Sequence, residues 1–273
     1  MSAAYFPMIE SLPFSFIASF TFIFGAAIGS FLNVCIYRLP DGESVVFPSS
    51  HCRSCTRVLS WYENLPLFSY LLQRGRCRTC GAQFSSRYFW VELLTAFLAI
   101  ALVYRFGLNM TTVGYFVFVA ALVTITFIDL DHQIIPNVIS LPGVVVGLLF
   151  SLVSPALTFW DSLLGVIAGA GILLAVFWGY FLVTRQEGLG MGDPKLLAMI
   201  GAFLGWRAIG FTLFCASLVG SVIGVALMRY RHADGKMALP FGPFLAFGAV
   251  CYLFFGEQLI SWYLGFFQLA NFQ

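Results

Sequence analysis

Two stretches carry the residue types that acid–base chemistry needs. In "FIDLDHQIIPN", Asp129 and Asp131 stand at the end of an apolar run; in "GLGMGDPKLLAMIGAFLG", Asp193 stands where another begins, 64 positions after Asp129. An ionisable residue at the edge of a membrane span is a functional candidate and usually has a partner. Two carboxylates brought close share a proton, so one acts as base on a water while the other polarises a scissile carbonyl. That is aspartic protease chemistry, which requires neither a nucleophilic side chain nor a metal. Gly190 and Gly192 permit a close backbone approach that a side chain would block, so an extended substrate strand can lie beside Asp193. Asp193 sits at a helix N-terminal boundary with Pro194 in the first position, where a carboxylate costs less than at mid-bilayer. The simpler alternatives are a helix N-cap for Asp193 and a hydrated loop for Asp129 and Asp131. Shared depth, shared side and the Gly-x-Gly-Asp context weigh against both. His51, His132 and His232 have no suitably placed Ser or Cys at that depth, which disfavours a nucleophilic mechanism.

A second constellation is "HCRSCTRVLSWYENLPLFSYLLQRGRCRTCGAQFSSRY". Cys52 and Cys55 form one CxxC, Cys77 and Cys80 another, with twenty-one residues between. Paired CxxC knuckles bring four thiolates to the corners of a tetrahedron, as a closed structural zinc site requires. Arginines at 53, 57, 74, 76, 78 and 87 offset its negative charge and favour thiolates. An insert this small has little core, so the metal is expected to supply much of its stability. Two disulfides are the competing reading, opposed by the cytoplasmic side assigned below. Cys35, Cys215 and Cys251 sit singly in apolar runs and read as small buried side chains.

The elements that must position these groups are membrane helices. The chain has 273 residues, 60% hydrophobic and 10% charged, with a mean hydropathy of +0.91; soluble domains carry about 25% charged residues. The expected class is all-α, a polytopic membrane bundle with a small cytoplasmic zinc-binding insert. About eight spans are expected, near 14–37, 88–106, 111–128, 137–153, 162–183, 194–205, 208–228 and 240–260. The sixth is too short for a full crossing unless it runs past Trp206 or tilts. The first lacks a preceding Lys or Arg and is too long for a cleaved signal, so it reads as a retained span. Twelve of the fourteen basic residues fall on one side, which places the insert and both acids in the cytoplasm and the termini outside. Three segments follow: 1–37 as first span, 38–87 as zinc insert and 88–273 as protease core. No internal repeat is evident.

With those residues in view, the chain resembles the type IV prepilin peptidases. "GSFLNVCIYRLP", the paired CxxC insert ending "SSRYFWVELLTA", "FIDLDHQIIPN", "GLGMGDPKLLAMIGAFLGW" and "LPFGPFLAFGA" occur in the right order over nearly the whole chain. These enzymes belong to the Gly-x-Gly-Asp intramembrane aspartyl proteases, with preflagellin peptidases and presenilins. The resemblance implies Asp129 and Asp193 as the catalytic pair and Asp131 as a neighbour pointing elsewhere. It also implies Gly190, Gly192, Pro240 and Gly242 as backbone- and substrate-positioning residues. Prepilin or pseudopilin substrates at the bacterial inner membrane, with no nucleic-acid partner, are implied too. A second activity implied for members with the insert is N-methylation of the new N-terminus from S-adenosylmethionine. Two departures, Cys-Arg-Ser-Cys in the first knuckle and Pro194 after the acid, touch no proposed ligand or catalytic group.

Family substrates carry a basic leader before an apolar helix. Asp131 and Glu187 are expected to attract that leader, which the arginines of the insert would repel. No Gly-x-Gly-x-x-Gly cradle marks a cofactor site. Glu43 and Glu92 near the insert are candidates for the methyl donor, each with pairing to a nearby arginine as the simpler expectation. A transporter is the main rival; it predicts acids at the midplane and repeated halves. A structural assembly protein predicts that Asn at 129 or 193 leaves processing intact.

Overall fold

The computed structural model describes residues 13–185, 190–231 and 239–270. They are helical, with no strand among them: α1 (Phe14–Arg38), α2 (Phe68–Leu72), α3 (Arg87–Phe106), α4 (Met110–His132), α5 (Asn137–Ser151), α6 (Phe159–Thr184), α7 (Gly192–Leu204), α8 (Trp206–Arg231) and α9 (Gly242–Ala270). All eight apolar segments of the sequence coincide with helices. Among the described residues, five helices are long and apolar enough to cross a membrane: α1, α3, α4, α6 and most of α8. α5 and the Gly242–Gly256 stretch of α9 are apolar but shorter. α7 has 13 residues, about 20 Å of helix against the ~30 Å of a bilayer core. Gly205, at φ 80°, ends it, and α8 begins afresh at Trp206, so the sixth segment does not run on as one helix.

The chain divides into two compact units, Met1–Ile128 and Asp129–Gln273. In the first, α1 packs on α3 through Gly25 and Gly29, spaced four apart. A Cβ on Gly25 would fall 2.8 Å from the Cα of Ala96, and one on Gly29 2.7 Å from the Cα of Glu92. Small residues at this spacing let two helix backbones touch, the packing that substitutes for a hydrophobic drive inside lipid.

The insert corrects the expectation of no repeat. Cys52 N–H donates to the Arg57 carbonyl, Thr56 N–H to Cys52 and Leu59 N–H to Ser50; each bond recurs twenty-five positions on, as Cys77 to Ala82, Gly81 to Cys77 and Phe84 to Gly75. The isolated bridges His51–Val58 and Arg76–Gln83 keep the same offset. The repeat is one short knuckle carried by backbone bonding. Outside Cys-Arg-(Ser/Thr)-Cys few side chains match, which hides it.

In the second unit α7 is the hub, packed by α5, α6, α8 and α9. Gly165 of α6 and Gly201 of α7 meet backbone to backbone, with room for a Cβ on neither. Ser162 Oγ donates to the Ala202 carbonyl at 2.6 Å across the same contact. Leu196 to Phe203 are all buried except the half-buried Leu204 that follows them. A helix too short to cross is tolerated at membrane depth when protein covers it.

Candidate functional site: a buried acid pair and a four-cysteine cluster

Asp129 comes from the last turn of α4 and Asp193 from the first turn of α7; they are 5% and 7% exposed. The N–H of Gly242, where α9 begins, donates to Asp129 Oδ2 at 2.9 Å. A Cβ on Gly242 would lie 2.6 Å from that oxygen, so only glycine lets the backbone reach the carboxylate. Ile135 joins the two acids' surroundings. A Cβ on Gly192, beside Asp193, would lie 2.7 Å from Ile135 Cβ, and one on Gly242 3.4 Å from Ile135 Cδ1. One side chain thus wedges against the starts of both α7 and α9, and Asp129 stands within direct electrostatic reach of Asp193.

Gly190 differs from Gly192. A Cβ there would make ordinary contact, 3.6 Å, with Asp193 Oδ2. Packing does not demand glycine at 190. Pro240 is half-buried in the non-helical stretch before α9. Asp131 is exposed, as two steps along a helix from a buried Asp129 require. Glu187, His232 and Lys236 lie outside the described residues. Sequence reasoning did not single out Ile135, nor the bond from Lys195 Nζ to Asn137 Oδ1 (2.8 Å) that ties the start of α7 to that of α5. Both lie within or beside the quoted motifs, in "HQIIPN" and "GDPK".

In the first unit the Sγ atoms of Cys52, Cys55, Cys77 and Cys80 all lie within 4.8 Å of one another, a group able to hold a metal ion. Cys52 and Cys80 are 3.7 Å apart and Cys55 and Cys77 4.0 Å, far beyond the ~2.05 Å of a disulfide. Backbone N–H groups of Cys80 and Thr79 pull the Cys77 thiol down to about 6, and those of Cys55 and Ser54 lower that of Cys52. Equivalent backbone donors thus favour the thiolate form of the first cysteine of each knuckle. Arg57 reaches Glu63 with Nη2 at 2.6 and 2.9 Å, and Ser60 N–H donates to the same carboxylate. That N–H, with the guanidinium, holds the Glu63 carboxyl below its ordinary range.

Glu92 was expected to pair with an arginine. It accepts instead from Leu67 N–H, at 2.7 Å, because the insert's backbone turns onto α3 there at a residue with φ 64°. Glu43 is exposed. Cys35 is buried, as expected; Cys215 and Cys251 are half-buried.

Residues 23–106 match the bacterial peptidase A24 N-terminal domain, and residues 116–225 match the type IV leader peptidase family. Prepilin leader peptidase/N-methyltransferase of Aeromonas hydrophila is 38% identical over 270 residues, covering 90% of this chain and 93% of the relative. The chain belongs to the type IV leader peptidase family. Proteins of the same name from Pseudomonas aeruginosa and Legionella pneumophila share 35% and 32% identity, over 94% and 89% of this chain and 97% and 93% of theirs. No solved structure matches the chain. The N-terminal domain match covers α1 from Ile23 onward, the cysteine cluster and α3; the second match contains both aspartates.

Proposed function

We propose that this chain is a bifunctional prepilin-processing enzyme of the bacterial inner membrane. It cleaves the basic leader from prepilins or pseudopilins on the cytoplasmic side and then N-methylates the new terminus with S-adenosylmethionine. The observation that carries the protease reading is the burial of Asp129 and Asp193 around one wedge residue, with the Gly242 N–H on one of them. That donor occupies Oδ2 of Asp129, leaving Oδ1 to face a water. One carboxylate takes a proton from the water, whose oxygen attacks the scissile carbonyl carbon. The other, protonated, donates to the carbonyl oxygen. As the tetrahedral carbon collapses, the C–N bond breaks and the nitrogen takes up a proton, leaving acid and amine. Gly190 keeps the approach to Asp193 clear for the extended leader, Gly192 admits Ile135, and Pro240 with Gly242 sets the chain that borders Asp129.

All eight apolar helices are placed in the membrane on this reading, with α5 and α7 sheltered by neighbours. The basic residues on one side support a cytoplasmic insert and acid pair. Residues 1–37 form the first span, 38–87 the metal insert and 88–273 the protease-bearing part. The metal is zinc: with Zn–S bonds of ~2.3 Å, tetrahedral sulfurs stand ~3.8 Å apart, which the 3.7 and 4.0 Å separations match. Cys52, Cys55, Cys77 and Cys80 fill all four positions, so the ion stabilises the fold and leaves none open for chemistry. Asp131 and Glu187 attract the leader; reversing both charges raises the substrate concentration for half-maximal cleavage, and an unchanged value refutes that role.

The test uses purified enzyme, a prepilin and labelled methyl donor. Asp129→Asn and Asp193→Asn each abolish cleavage while the metal is retained. Cleavage by either variant at the wild-type rate contradicts the reading.

A further inference from the structure

In the first unit, the C-terminal end of α1, the N-terminal end of α3 and the knuckles border an open-sided cleft of about 160 Å³. Its walls combine both signs of charge with aromatic faces. Arg53 stacks on Tyr37, its guanidinium carbon 3.1 Å from the ring centroid, and its Nη2 donates to the Tyr88 hydroxyl at 2.6 Å. Two bonds thus hold an otherwise exposed cation against the cleft wall. Glu92, 7% exposed, also lines the cleft and is fixed by the Leu67 N–H. Tyr70 adds a third ring.

We propose that this cleft binds S-adenosylmethionine, resting on the methyl-transfer activity proposed above. The donor carries a carboxylate, two cationic groups (ammonium and sulfonium) and a purine. Arg53 suits the carboxylate, since guanidinium–carboxylate pairs are strong and directional. Glu92 accepts from the ammonium, and the tyrosine faces suit the sulfonium and the purine. A simple anion would meet the Glu92 carboxylate in the same cleft, and a simple cation would meet Arg53. A ligand bearing both charges satisfies each wall. In the transfer, the neutral amine of the cleaved pilin attacks the methyl carbon with its lone pair. The carbon–sulfur bond breaks, its electron pair returns to sulfur, and the ammonium proton passes to bulk water.

The experiment measures equilibrium binding of tritiated S-adenosylmethionine to the full-length, metal-loaded chain in lipid nanodiscs, followed by ultraviolet crosslinking and peptide mapping. Arg53→Met and Glu92→Gln are each expected to weaken binding at least tenfold, with the label on peptides holding Tyr37, Tyr70 or Tyr88. If Glu92→Gln loses its metal, Arg53→Met and the wild-type label map decide. Wild-type affinity in Arg53→Met, with label confined to residues 129–273, overturns the cleft assignment while a methylating wild type upholds the function. A wild type that cleaves but neither binds the donor nor methylates overturns the bifunctional reading and the cleft with it.

Discussion

The four cysteines and the two aspartates are both gathered from distant points in the chain, by opposite means. In the insert each half of the site is local. Six residues from Cys52 to Arg57 close a knuckle through their own backbone bonds, and the same bonds recur from Cys77 to Ala82. An ion bound by the four thiols would join two finished halves. The acid pair has no such local halves. Asp129 ends one helix and Asp193 starts another, and what positions them are contacts between elements far apart in the chain: Gly165 against Gly201, the loop residue Ile135 against Gly192, Gly242 against the carboxylate. The insert is cross-linked by polar bonds, whereas the acid site is held by close packing, so perturbations should separate them.

Removing the metal has the largest expected effect. Structural zinc supplies roughly 10–16 kcal/mol in small domains. A chelator that strips the cysteines should therefore open residues 38–87 to limited proteolysis while 129–273 stays resistant. Simultaneous digestion of both units would erase the contrast. Next comes Gly242→Ala. Its Cβ would lie 2.6 Å from Asp129 Oδ2 and displace α9 or the acid, and a misplacement near 1 Å can cost about 100-fold in rate. Cleavage should fall about that far with the metal content unchanged.

Acid should weaken the insert through Glu63. Its carboxyl titrates below the ordinary range because Ser60 N–H and Arg57 favour the charged form. Folded-state pKa below unfolded means that this stabilisation is present above the ordinary carboxylate range and fades as pH falls through the lowered value. Protease resistance of the insert should decline across that window, and Glu63→Gln should flatten the dependence. The smallest effect tests the repeat itself. Thr56 holds φ 55° where its counterpart Gly81 holds 71°, a left-handed conformation costly for a β-branched residue. Thr56→Gly should stabilise the metal-loaded insert by ~0.5–1 kcal/mol, read as protection from proteolysis; a loss of protection would mean the knuckles are not equivalent.

These differences also explain what the sequence disclosed. Cys52-x-x-Cys55 and Cys77-x-x-Cys80 are adjacent letters with known ligand geometry, so the cluster was legible outright. Helices were legible from apolar runs, and the sixth run was visibly too short to cross, but its stop at Gly205 rather than continuation past Trp206 was set by the positive-φ turn there. Asp129 and Asp193 were nameable from motif and depth. Their surroundings were not, because Ile135, in the loop between α4 and α5, and Gly242, at the start of α9, act through contacts with distant elements that no local pattern reports. The bond from Glu92 to a backbone N–H was equally hidden; an acid near arginines suggests an ion pair, and only the turn at Leu67 redirects it. The knuckle repeat was present in the letters, but it resides in backbone bonding more than in side chains.

The most direct test is a cleavage cycle with Asp129→Asn, Asp193→Asn and the double variant, all shown to retain metal. Groups acting on one water are non-additive, so all three should fall to the same residual rate, at least about 1,000-fold below wild type. A double variant slower than either single one by the product of their separate losses would show two acids working independently, and would contradict the account.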